Sequence, residues 1–136
     1  KAYKNMNAYK LFVLDVGLLG AMSELPAESI LEGNDIFVEF KGALTEQYVL
    51  QQLISDTPYT PYYYGNEKAT FEQDFLIQKA KSIVPIEVKA EQNIRSHSLK
   101  TYCEKFQPEE AVRFSTLKYK DQEWMVNIPL YAVCNL

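Results

Sequence analysis

Asp74, Glu87 and Lys89 are the residues whose types and spacing most plainly suggest chemistry: an acid, twelve intervening residues, then an acid and an amine two apart. They fall on two stretches that read as strands, Phe71 to Ile77 and Ile83 to Lys89, joined by the polar turn Lys79-Ala80-Lys81-Ser82. Side chains alternate faces along a strand, so Gln73, Phe75 and Ile77 share one face and Glu72, Asp74 and Leu76 the other. In the second strand Val84, Ile86 and Val88 lie opposite Pro85, Glu87 and Lys89. Aligning the two apolar rows across the hairpin sets Asp74 against Glu87 and Glu72 against Lys89. Two carboxylates facing each other at about 5 Å repel. They suit a shared divalent cation, since Mg²⁺ takes carboxylate and water oxygens in an octahedron at roughly 2.1 Å. Asp74, Glu87 and the carbonyl of Val88 are therefore the candidate ligands for Mg²⁺ or Mn²⁺. Lys89 is placed to orient a water or to neutralise charge developing on a phosphate. The plain alternative is an ordinary cross-strand ion pair between Glu72 and Lys89.

A site on two strands needs a helix packed behind it. The strongest helical stretch is Phe37 to Ser55, in which Ala43, Val49, Leu50 and Leu53 lie at helical steps from Glu46. That carboxylate therefore sits within the apolar stripe, where a buried acid costs several kcal/mol unless paired or bound, or at the stripe's edge, where it reaches water. In the first case Glu46 completes the acid cluster. A second helix spans Ser98 to Phe106, with Ser96 or Ser98 as its cap and Leu99, Tyr102, Cys103 and Phe106 as its buried face.

The remaining stretches read as support. Lys10 to Leu19 is a short apolar strand that turns near Asp15 to Gly17, and Gly20 to Leu25 continues as a helical turn. A weak helix from Pro26 through Leu31 stops at Gly33-Asn34. Pro58 and Pro61 end the long helix, and Tyr62-Tyr63-Tyr64 forms an aromatic strand suited to core packing or, less often, to stacking on bases. A polar turn follows at Asn66-Glu67-Lys68, and Glu91 to Ser96 is a loop. Ala111 to Ser115 is a further strand, and Trp124 to Leu136 closes the chain as apolar edge structure. The order from Phe37 to Ser115 is helix, three strands, helix, strand.

Composition narrows the classes. The 136 residues are 47% hydrophobic and 13% aromatic, which describes one folded domain with a sizeable core. No apolar run approaches the roughly 20 residues that span a bilayer, and two cysteines, Cys103 and Cys134, are too few for a disulfide scaffold. The setting this suggests is reducing and cytoplasmic. A net charge of -4 argues against a broad basic nucleic-acid surface. Lys79, Lys81, Arg95, Lys100 and Lys105 are local candidates for phosphate contact, and equally ordinary solvated surface. His97, the sole histidine, supports neither a catalytic triad nor a zinc site. The chain opens Lys1-Ala2-Tyr3-Lys4 with its first methionine at Met6, which leads to the expectation of a piece cut from a longer parent.

The element order, together with Glu46, Asp74 and Glu87-Val88-Lys89, resembles the PD-(D/E)xK nuclease superfamily, which includes archaeal-type Holliday junction resolvases. Five blocks look more closely like the C-terminal domain of unknown function that follows an AAA-type ATPase domain in bacterial and archaeal proteins. They are Lys10 to Leu19, Gly42 to Val49, Glu72 to Phe75, Pro85 to Lys89 and Val112 to Ser115. The resemblance implies an α/β fold with a restriction-endonuclease-like core, a mixed sheet flanked by helices. It further implies that residues 1–36 are a lead-in from an absent ATPase domain and residues 37–136 the nuclease-like domain. By the same resemblance the catalytic set is Glu46, Asp74, Glu87 and Lys89, and the parent chain binds ATP through that absent domain. The partners implied are the ATPase domain and DNA, with no membrane. Gln73 stands where the superfamily has its proline. The alternative is a nuclease fold retained as an interaction or regulatory module of the ATPase.

Overall fold

The computed structural model describes residues 9–26, 28, 35–65, 71–90 and 95–136, with side chains of the long helix from Phe40 onward. The weak helix after Pro26 with its Gly33-Asn34 stop, the turn Asn66 to Lys68, Glu91 to Ile94 of the second loop, and the opening Lys1 to Lys4 with Met6 lie outside the described residues, apart from Pro26 and Glu28.

The central hairpin forms in the predicted register. Strand β2 (Gln73–Lys79) runs antiparallel to β3 (Ser82–Lys89), with rungs from Lys79↔Ser82 through Ile77↔Val84 to Phe75↔Ile86. The apolar rows coincide as the alternation requires: Phe75, Ile77, Val84 and Ile86 are all buried. Ala80 closes the turn at φ 55, the left-handed region usually left to glycine. The aromatic strand β1 (Tyr62–Tyr64) pairs antiparallel with β2, with an irregularity between Tyr62 and Tyr64.

Beyond β3 the chain crosses through a helix, α3 (His97–Phe106), to β4 (Val112–Ser115), which lies parallel to β3. Parallel neighbours need such a crossover. Next come β5 (Lys120–Gln122) and β6 (Met125–Pro129), an antiparallel hairpin whose second strand pairs parallel with β4. Among the described residues the sheet has six strands in the order β1-β2-β3-β4-β6-β5. The protein is thus mixed α/β, and helix, three strands, helix, strand is the order found from Asp35 to Ser115.

One face of the sheet packs on the long helix, α2 (Asp35–Asp56), and on the closing 3₁₀ helix Leu130–Asn135. Val49 and Leu53 from α2 and Val133 from the 3₁₀ helix join Phe75, Ile77, Val84, Ile86, Val112 and Phe114 in the main core. The other face carries α3, whose Leu99 packs with Ala111 and Met125. Tyr64, Phe71, Tyr102 and Phe106 meet ring to ring at 4.6–6.4 Å, tying β1 to α3. Tyr64 therefore takes part in packing.

Several expectations need correcting. Lys10 to Val13 is no strand, and the helix begins earlier than predicted: Asp15 caps α1 (Val16–Met22) by accepting the N–H of Leu18 at 2.8 Å. The C-terminal segment is not edge structure. β6 lies between β4 and β5, with Met125, Asn127 and Pro129 buried, and the short polar β5 takes the edge. Phe106, placed on the buried face of its helix, is 45% exposed. Among the described residues no helix is long and apolar enough to cross a membrane.

Candidate functional site

The carboxyl ends of the parallel strands β3, β4 and β6 coincide at one margin of the sheet, marked by Lys89↔Ser115 and Ser115↔Pro129. Because β2 runs the other way, its first residues arrive at the same margin. Asp74, Glu87 and Lys89 are thereby delivered to one end of the sheet, the end where open α/β sheets place their ligands.

Local hydrogen bonding explains how Asp74 is held. In a hairpin closed by Lys79↔Ser82, doubly bonded rungs recur at every second residue, so Val88 N–H is due to bond the backbone of Gln73. It bonds the Asp74 carboxylate instead, at 2.8 Å to Oδ2. The rungs stop at Phe75↔Ile86, and the side chain takes over where the ladder ends.

The long helix supplies the second acid. Glu46 is half-buried at the edge of the apolar stripe rather than at its centre, and the fully buried place next to it belongs to Gln47. Glu46 hydrogen-bonds the Asp74 carboxyl. Lys10 Nζ donates to Glu46 Oε1 and lies 4.0 Å from Asp74 Oδ1. Burial pushes the Asp74 carboxyl up to about 7; the charge of Glu46 and their shared hydrogen bond add to the rise, while the Val88 N–H and the Lys10 ammonium oppose it. Two close carboxyls resist ionising together, which favours the protonated form of Asp74.

Glu87 and Lys89 form the other half. Lys89 Nζ donates to Glu87 Oε1 at 2.7 Å, and the Glu87 side chain is only 5% exposed. Glu72, by contrast, is exposed, so the pairing of Glu72 with Lys89 does not form. The second oxygen of Glu87, Oε2, is buried without a hydrogen-bond partner among the described residues. A bare buried carboxylate oxygen costs on the order of 1–3 kcal/mol or more, so this atom is poised to take a cation.

Beside Glu87 stands a residue that the sequence reading passed over. Arg113, the cross-strand neighbour of Glu87 on β4, is 3% exposed. Its Nε donates to Asn127 Oδ1 at 2.9 Å and its Nη1 to Ser96 Oγ at 3.2 Å. Ser96, predicted to cap α3, stands at the cap position but spends its hydroxyl on Arg113. Burial lowers the pKa of Arg113 from its ordinary value and the charge of Glu87 works against that. An arginine between Val112 and Phe114, both fully buried, was the available signal.

The predicted site residues thus arrive as two pairs at one sheet end: Glu46 with Asp74, and Glu87 with Lys89. Among the described residues no group of three His, Cys, Asp or Glu side chains is gathered to hold a metal ion. Of the candidate phosphate contacts, Lys79 pairs with Glu110 at 3.1 Å, Lys100 lies 3.9 Å from Glu104, and Lys105 sits over the Phe106 ring.

Comparison with protein families matches residues 41–132 to the family described as Domain of unknown function (DUF4143). No curated protein and no solved structure matches the chain.

Proposed function

The chain belongs to the family Domain of unknown function (DUF4143), and from that premise we propose that it is a restriction-endonuclease-like, PD-(D/E)xK core that hydrolyses DNA phosphodiesters with Mg²⁺ or Mn²⁺. In this reading Glu46, Asp74, Glu87 and Lys89 form the site, and the parent protein carries an N-terminal AAA-type ATPase domain. The observation that carries the proposal is the buried, unmatched Oε2 of Glu87 beside an ammonium, at the same sheet margin as the Glu46–Asp74 pair.

The donors fit a hard divalent cation in kind: carboxylate oxygens, one of them lacking a partner, with the Val88 carbonyl next in the chain. Asp74, Glu87 and that carbonyl would hold the ion, which when bound polarises a phosphoryl oxygen and acidifies water. The chain's own residues do the rest. Lys89 donates to the buried Glu87 and presents an ammonium where a phosphate gains charge. Glu46 orients the Asp74 carboxyl from the helix side.

A titration with Mg²⁺ tests this directly. A ligand bound only by the folded state adds about 2.7 kcal/mol at a hundredfold excess over its Kd. Wild type gains thermal stability with added Mg²⁺ and Glu87→Gln does not; no shift in wild type at millimolar metal refutes the proposal. A second reading, an inactive nuclease fold serving as an interaction or regulatory module of the ATPase, is favoured by the separation of the acids into two pairs.

A further inference from the structure

The segment before α1 does more than lead in. Val13 is gripped through both backbone groups: its N–H donates to Gln47 Oε1 at 3.1 Å, and its carbonyl accepts from Gln47 Nε2 at 3.0 Å. Val16 N–H donates to Gln51 Oε1 at 3.0 Å. Gln47 and Gln51 lie one helical turn apart, so α2 holds the segment much as a neighbouring strand would, with side-chain amides in place of a backbone. Gln47 is 2% exposed, so its amide has little solvent to turn to. Phe12 packs against Phe75 at 5.9 Å, and the segment and α2 border a cleft of about 430 Å³. All of this fixes the position of Lys10, three residues before Val13, whose ammonium donates to Glu46 and lies 4.0 Å from Asp74.

We infer that Lys10 is a tethered counter-ion for the Glu46–Asp74 pair, so that docking of this segment and binding of a divalent cation at Asp74 oppose each other. The inference rests on the proposed metal-dependent reading of the site and adds its control. An ammonium held by the fold competes with a free cation for the Asp74 carboxylate, and does so at high effective concentration because its segment is already docked. Removing the ammonium leaves the acids bare and raises their affinity for metal. Displacing it with metal weakens the hold on the segment, which then opens more often. In the proposed parent, this segment is the connection toward the ATPase, so motion there reaches the acids through Lys10.

The test uses the full chain with Mn²⁺ as the probe and has two readouts. Calorimetric titration compares wild type with Lys10→Ala, Lys10→Ala being expected to bind at least about tenfold more tightly. Amide hydrogen exchange at Val13 and Val16 is followed with and without metal, and Mn²⁺ is expected to speed exchange in wild type at both positions. Tight binding that is equal in wild type and Lys10→Ala, with exchange unchanged, overturns the inference while leaving the metal reading intact. Binding to neither protein overturns both. If Lys10→Ala is poorly folded, Lys10→Met keeps the apolar stem and replaces it in the comparison.

Discussion

Asp74 accepts the backbone N–H of Val88 at 2.8 Å, so the acid of one strand is fastened to the strand that carries the other acid. That single bond ends the β2–β3 ladder and turns the Asp74 carboxyl toward Glu46 on the helix. A carboxyl is held where burial disfavours its charged form, and the consequences are measurable.

The first concerns pH. Asp74 titrates at about 7 in the folded chain against an ordinary value of 3.8, so the folded state binds more protons than the unfolded state between those values. Its contribution to stability is therefore fullest below the unfolded value and is lost as pH rises through about 7. Asp74→Asn imitates the protonated form and can still accept from Val88. The variant should be more stable than wild type by about 1–3 kcal/mol at pH 8, with the difference vanishing near pH 4, as read from urea unfolding across pH.

Arg113 yields the second. Removing a buried arginine strands Ser96 Oγ and takes one of two donors from Asn127 Oδ1, and it leaves Glu87 facing the sheet interior without that charge. Arg113→Ala should lose about 3–5 kcal/mol in urea unfolding. Arg113→Lys, which keeps the charge but cannot reach both partners in a fork, should recover only part of that loss.

Ala80 offers a change in the opposite direction. An L-residue at φ 55 is strained by its Cβ, and glycine is not. Ala80→Gly should raise stability by up to about 1 kcal/mol, less the greater entropy that glycine loses on folding. Thermal unfolding should show a higher midpoint with no change in the metal response, since the turn lies at the far end of the hairpin from Asp74.

The hairpin was legible in the sequence because period-two alternation over Gln73–Lys79 and Ser82–Lys89 leaves one register that buries both apolar rows. The register then carries Asp74 and Glu87 to the same end of the sheet, where they take separate partners, Glu46 and Lys89. What the sequence hid came from contacts that no period encodes. Lys10 meets Glu46 across 36 positions, and its segment is held by glutamine side chains rather than by a ladder. The stretch holding β6 read as edge structure, yet β6 is an inner strand because the short hairpin partner β5 takes the edge beside it. Arg113 was hidden by its own charge, since a guanidinium reads as surface until polar neighbours such as Ser96, Asn127 and Glu87 are assembled around it.

Cleavage of branched and linear DNA by the parent protein in Mg²⁺ probes the central claim most directly, comparing wild type with Asp74→Asn and Lys89→Met, each first shown to be folded by circular dichroism. The account predicts cutting by wild type and a loss of at least about a hundredfold in each variant, the scale on which removal of a single charge-stabilising group acts in catalysis. Equal cutting by all three, or none by wild type with metal bound, would contradict it.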